Sequence, residues 1–140
     1  MRTLAVVGCL LVAFAAAAHH SAVAYDQTVF VEIEGTVTEY RWGHPHVYLS
    51  VETAGPGGER VTQEIEAGPA TQLLPRGVTR DLLRVGDRVK VRANPNRRGA
   101  GRIVLGTELT TSDGSRFPLH ARALRPSADG ELRRHRGYRE

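Results

Sequence analysis

Alternation of apolar and polar residues constrains the fold of this chain more than any other feature. Apolar side chains recur at alternate positions in residues 29–40, 46–52 and 61–67, and Gly35 interrupts the first of these runs. This period of two is typical of β-strands with one buried face. A Gly-Pro-Gly-Gly loop at 55–58 separates the second and third runs. We therefore expect three antiparallel strands, the first with a bulge or sharp bend at Gly35.

A short helix and two further strands are predicted after the third strand. Pro69 suits the first turn of a helix over 70–74, which Pro75 and Gly77 would end. The fourth strand is expected around Val89 and Val91, and a polar loop at 94–101 precedes a fifth strand at 102–110, which ends at an Asp-Gly turn.

This order of elements indicates an all-β fold with one short helix, arranged as a small five-stranded OB-like barrel. Closure of the barrel would remove exposed sheet edges. The expected core consists of Val31, Ile33, Val37, Val47, Leu49, Val51, Ile65, Val89, Val91, Val104 and Leu109.

The first 18 residues have the pattern of a cleavable signal peptide. Arg2 precedes an apolar run from Leu4 to Phe14, and four alanines at 15–18 provide a cleavage site. The run is shorter than the roughly 20 apolar residues of a membrane-spanning helix. We therefore expect a periplasmic or secreted protein without a permanent membrane anchor, its mature chain beginning at His19.

Cys9 allows a second interpretation of the leader, because Gly8-Cys9 resembles the lipidation site of a lipoprotein. Only eight residues precede Cys9, however, and the apolar run continues beyond it. Cys9 is also the only cysteine of the chain. A mature chain from His19 would therefore contain no disulfide, thiol nucleophile or thiolate metal ligand.

Length and charge favour one soluble domain. Removal of 18 of the 140 residues leaves 122, enough for a single compact domain. We expect an N-terminal arm at 19–28, the barrel at 29–124 and a flexible basic tail at 125–140. The net charge of +4 comes almost wholly from arginine, but acidic residues are interleaved with the basic ones. This mixture indicates a solvated surface, so we expect a monomer that does not bind nucleic acid.

Several short motifs along the mature chain resemble one known family. They are His19-His20-Ser21, Gly35-Thr36-Val37, Trp42, Pro45-His46-Val47-Tyr48, Gly77, Thr79, Leu82 and Gly86-Asp87-Arg88-Val89. These motifs resemble the small exported bacterial proteins of domain of unknown function family 6152. The resemblance implies an exported, barrel-like β domain without an established activity. His44 replaces an Asn of the family pattern and adds a candidate ligand, whereas Val78 replaces an aromatic residue and puts in doubt any role of that aromatic.

A free N-terminal His19 would offer two nitrogens to a metal, its α-amine and its imidazole. With a third nitrogen these suit the tetragonal geometry of Cu(II). The candidate ligands besides His19 are His20, His44, His46 and His120. Zinc fits less well, because a closed zinc site needs four ligands and thiolates are absent. The alternative is that His46 only hydrogen-bonds the turn around Pro45. A copper site would serve storage, delivery or sensing outside the cytoplasm.

Three aromatic residues near the first hairpin, Tyr40, Trp42 and Tyr48, offer an alternative function. OB barrels bind oligonucleotides and oligosaccharides near this part of the fold. The alternative is therefore a non-metal ligand-binding or protein-interaction module that uses this surface. Packing in the core and turn would explain the same residues without a ligand.

Nothing in the sequence argues for an enzyme. The serines at 21, 50, 112, 115 and 127 have no neighbouring nucleophile motif. Glu32, Glu34, Glu64 and Glu66 fall at strand positions that predict exposure to solvent.

Overall fold

The computed structural model of the protein describes residues 22–98 and 103–120. The strands are β1 (Val31–Arg41), β2 (Tyr48–Ala54), β3 (Arg60–Glu66), β4 (Arg88–Asn94), β5 (Ile103–Thr111) and β6 (Arg116–Pro118). Among the described residues, the α-helix α1 (Ala70–Leu73) continues into a 3₁₀ turn at Leu74–Arg76, and another 3₁₀ turn covers Ala22–Ala24. The predicted leader and basic tail lie outside the described residues. No helix in the described part is long and apolar enough to cross a membrane.

The first five strands close into a barrel, which confirms the predicted OB-like fold. Neighbouring strands pair antiparallel in the order β3-β2-β1-β4-β5. The barrel then closes through a short parallel pairing between Glu64–Glu66 of β3 and Ile103–Leu105 of β5. The sequence did not predict β6, which pairs antiparallel with the end of β5.

The barrel encloses one hydrophobic core, and every residue predicted for it contributes. All are buried except Val31, which is partly buried and packs against the others. The helix and the connections around it add buried residues that strand alternation does not reveal, namely Leu73, Val78, Leu83 and Leu119.

Gly35 has a different role from the one predicted. The register of β1 against β2 shifts between Val37 and Glu39, so the irregularity lies beyond Gly35. At Gly35 itself a Cβ atom would overlap the carbonyl oxygen of Glu52 and crowd Val51. The glycine therefore allows close approach of two strands where β1 passes from pairing with β4 to pairing with β2.

The segment before β1 packs along the end of β4. Tyr25 forms an isolated antiparallel bridge with Asn96. The amide of Asp26 donates to the carbonyl of Pro95 at 2.8 Å, and the amide of Arg97 donates to the carbonyl of Ala24 at 2.8 Å. Residues 24–26 are thus fixed to the barrel by backbone hydrogen bonds.

Candidate functional site

Glu66 is the centre of a small polar cluster on the outer side of the barrel. It ends β3, where it pairs with Tyr48 of β2 and with Leu105 of β5. Strand alternation predicts that Glu66 faces solvent, but only 6% of the residue is exposed. That prediction was wrong because Tyr25 and His46, which lie outside the strands, contact the carboxylate.

The two carboxylate oxygens of Glu66 have different partners. The hydroxyl of Tyr25 donates a hydrogen bond of 2.8 Å to Oε2. Nδ1 of His46 lies 2.5 Å from Oε1, although the alignment is not that of a regular hydrogen bond. A nitrogen and an oxygen this close repel each other unless a proton lies between them. Glu66 therefore links Tyr25 to His46.

Backbone hydrogen bonds hold His46 beside the end of β3. The amide of Val47 donates to the carbonyl of Gly68 at 3.3 Å, and the amide of Ala67 donates to the carbonyl of Val47 at 2.8 Å. The His46 side chain is 18% exposed, but its Nδ1 is buried. Nδ1 is therefore not among the atoms of the side chain that reach solvent.

The tyrosines around Glu66 are held in their neutral form. Burial raises the pKa of Tyr25, and the hydrogen bond to Glu66 and the charge of that carboxylate raise it further. Burial also raises the pKa of Tyr48, with smaller contributions from Glu66 and Glu64, and the nearby Arg41 opposes this shift. Tyr25 is thus a hydrogen-bond donor rather than a phenolate at neutral pH.

Of the other candidate metal ligands, the structure describes two, and two lie outside the described residues. His44 is exposed, next to a cis peptide bond to Pro45. His120 is partly buried beyond β6. His19 and His20 lie outside the described residues. Within 22–98 and 103–120, no three His, Cys, Asp or Glu side chains form a group that could hold a metal ion.

The three aromatic candidates do not share one surface. Tyr40 and Trp42 meet edge to face, with ring centroids 6.0 Å apart, and the Tyr40 hydroxyl donates to the carbonyl of Thr79 at 2.9 Å. Tyr48 instead lies under the guanidinium of Arg41, 4.8 Å from the ring centroid. Because Arg41 pairs with Tyr48 and the preceding Tyr40 points the other way, the two groups face opposite sides of the sheet.

Cross-strand ion pairs account for much of the charge on the barrel. They are Arg41–Glu64, Arg60–Glu52, Lys90–Glu32, Arg88–Glu34 and Arg116–Glu108, with separations from 2.6 to 3.7 Å. Exposed pairs of this kind contribute little to stability. They leave the barrel with interleaved charges, as the sequence pattern indicates.

Sequence reasoning missed Tyr25 as a member of the candidate site and misplaced Glu66. The one available signal was that Tyr25 is the only Phe, Trp or Tyr in the predicted arm 19–28. An isolated tyrosine in a polar arm often has a buried partner for its ring and hydroxyl. No local pattern indicates that this partner is Glu66.

Comparisons with known proteins found a structural match and a family match. The crystal structure of a mitochondrial single-stranded DNA-binding protein from S. cerevisiae superimposes with a TM-score of 0.45 and 14% identity, over 63% of this chain and 94% of that chain. No curated protein matches the sequence. The family of unknown function DUF6152 matches residues 7–104, which confirms the resemblance found in the sequence motifs. The chain therefore belongs to the DUF6152 family.

Proposed function

We propose that the mature protein is an exported barrel that binds Cu(II) through a nitrogen-rich site. The α-amine and imidazole of His19 supply two nitrogens, and the ring of His46 supplies the third. One observation carries this proposal: Nδ1 of His46 lies 2.5 Å from the buried carboxylate of Glu66.

A carboxylate on one ring nitrogen is the usual second partner of a metal-binding histidine. It fixes the orientation of the ring and leaves the other nitrogen, Nε2, as the ligand. In His46 the contact with Glu66 uses Nδ1, the buried nitrogen. Imidazole and amine nitrogens are ligands that suit Cu(II), and they bind near neutral pH once the metal displaces the proton of the amine.

His46 is a better third ligand than His44 for the same reason. His44 is exposed at the turn, so a metal bound there would have to order its side chain. His46 is held between the chain entering β2 and the buried Glu66. Ordering costs are therefore smaller at His46, which favours it as the ligand.

The test is a copper titration of protein obtained through the export route. Intact mass must first show that His19 is residue one, which also distinguishes cleavage after Ala18 from lipidation at Cys9. A matched version carries one extra alanine before His19, which keeps every side chain but moves the free amine. His46→Gln is compared with His44→Gln in the same titration, and electron paramagnetic resonance reports the nitrogen ligands.

We expect the extra alanine and His46→Gln each to weaken Cu(II) binding by more than roughly a hundredfold, because outer partners alone contribute about 10- to 100-fold. His44→Gln is expected to leave the affinity nearly unchanged. Equal affinity of the native and extended N-termini would exclude the terminal chelate. Equal effects of the two histidine substitutions would exclude His46 as the specific ligand.

A further inference from the structure

The carboxylate of Glu66 joins two parts of the chain that are distant in sequence. Its Oε2 accepts the hydroxyl of Tyr25, and its Oε1 faces Nδ1 of His46. Tyr25 is 4% exposed and Glu66 is 6% exposed, so both groups are withdrawn from water. A hydrogen bond to a buried charged group is stronger than one at the surface, because water competes less for either partner.

Tyr25 is also the residue at which the N-terminal segment meets the barrel. The hydrogen bonds of Ala24 and Asp26 to Arg97 and Pro95 flank it on both sides. Val23, just before this attachment, is 68% exposed. The contact between Tyr25 and Glu66 is therefore the side-chain part of an attachment that is otherwise made by backbone groups.

We infer that Tyr25 is a positioning residue: through Glu66 it orients the ring of His46 and holds the segment before β1 beside that ring. The inference rests on the proposed copper site and names the residue that orients its third ligand. Six peptide units separate His19 from Tyr25, so covalent geometry keeps the two Cα atoms within about 22 Å. Attachment at Tyr25 thus raises the effective concentration of the terminal chelate near His46.

The placement of both the His46 ring and the N-terminal chelate therefore depends on the hydrogen bond between Tyr25 and Glu66, which involves neither of these ligands directly. Loss of the Tyr25 hydroxyl leaves Oε2 of Glu66 buried with one partner fewer. The carboxylate is then free to reorient, and the ring of His46 with it. Copper affinity falls in proportion to the fraction of molecules in which the segment and the ring remain in place.

The first measurement uses metal-free protein and Tyr25→Phe, which removes one oxygen. Hydrogen exchange is followed at the amides of Asp26 and Arg97, and nitrogen NMR follows the two ring nitrogens of His46. The matched control is Thr107→Val, because the Thr107 hydroxyl donates a hydrogen bond of the same length, 2.8 Å, to the carbonyl of Arg92 and not to Glu66. Copper titration of the same three proteins follows.

In Tyr25→Phe we expect both amides to exchange roughly tenfold faster, because the lost bond is one to a charged group. The ring nitrogen signals of His46 shift, and Cu(II) affinity falls by roughly tenfold, within the usual range of coupling between sites. Thr107→Val changes none of the three beyond its effect on global stability.

Unchanged His46 signals or unchanged amide exchange in Tyr25→Phe would overturn the inference, whatever copper does. An unchanged copper affinity in a wild-type protein that binds copper would overturn it as well. If the wild-type protein binds no copper, the proposed function fails, whereas the metal-free measurements still decide whether Tyr25 positions His46.

Discussion

Gly35 shows how a single residue sets the distance between strands in this barrel. Residues 31–36 of β1 pair with β4, and residues 36–41 pair with β2, so the strand changes partner at Thr36. The backbone of Glu52 comes so close to Gly35 that no Cβ atom fits between them. A rigid backbone carbonyl cannot rotate away as a side chain can, so the position excludes every larger residue.

We therefore predict that Gly35→Ala destabilises the protein by about 3 kcal/mol, at the upper end of the usual cost of overpacking. Gly43→Ala is the control, because a Cβ at Gly43 would meet only the carbonyl oxygen of His46, at 3.9 Å. That variant is expected to stay within about 0.5 kcal/mol of the wild type. Urea unfolding measures both, and similar losses in the two variants would contradict the steric role of Gly35.

Single residues also show where prediction from sequence ended. Alternation places Glu66 on the outer face of β3, and the structure agrees. The outer face of β3 does not by itself make Glu66 exposed, because Tyr25, which is 41 positions away in sequence, covers its carboxylate. Contacts between residues so distant in sequence leave no periodic signal, so this part of the candidate site could not be predicted.

Among the elements, the end of β1 is tied to the connection that follows the helix. The hydroxyl of Tyr40 donates to the carbonyl of Thr79 at 2.9 Å, and the ring contacts Trp42, which packs against the core. Burial raises the pKa of Tyr40 from 10.0 to about 12. The folded protein therefore holds this proton more tightly than the unfolded chain does.

From this shift we predict a pH-dependent effect of Tyr40→Phe. The stabilisation linked to the raised pKa is complete below pH 10 and is lost as the pH rises toward about 12, because the unfolded chain ionises first. At neutral pH the variant is expected to lose about 1 kcal/mol with its hydrogen bond. The difference from the wild type should shrink and then change sign as the pH rises from about 10 toward about 12 in urea unfolding. A constant difference would show that Tyr40 ionises alike in both states.

The strands were predictable as elements, whereas their ends were less so. Predicted and observed strands overlap throughout, but β2 begins at Tyr48 rather than His46, because the chain is still leaving the bend at His44 and Pro45. β6 was missed because its three residues are too few for a periodic pattern.

At the scale of the whole molecule, stability comes from one closed core without a disulfide among the described residues. Leu109 lies at 0% exposure, where β5 crosses the core, and Leu74 lies at 52% exposure on the 3₁₀ turn after α1. The two leucines have the same chemistry in opposite environments. Comparing their alanine variants therefore shows how much of the stability depends on burial.

We predict that Leu109→Ala lowers the free energy of unfolding by about 2–5 kcal/mol, through lost transfer energy and the cavity left behind. Leu74→Ala should remain within about 0.5 kcal/mol of the wild type. Thermal or urea unfolding monitored by circular dichroism compares them. A small effect at Leu109 would mean that the core is packed more loosely than the structure describes.

The fold class was predictable because the order of three strands, a helix and two strands leaves few ways to close a short chain. The pair of strands that closes the barrel was not predictable from local pattern. The parallel pairing of Glu64–Glu66 with Ile103–Leu105 depends on which strand edges remain free after the antiparallel pairs have formed.

The two partners of β1 also govern when the barrel can form. Its second half pairs with β2, the next strand in the chain, whereas Glu34 in its first half pairs with Lys90, 56 positions later. Pairings over such separations slow folding, because loop entropy is lost before contacts compensate. During synthesis β1 would therefore stay half-paired until β4 has been made, and only then could the barrel close.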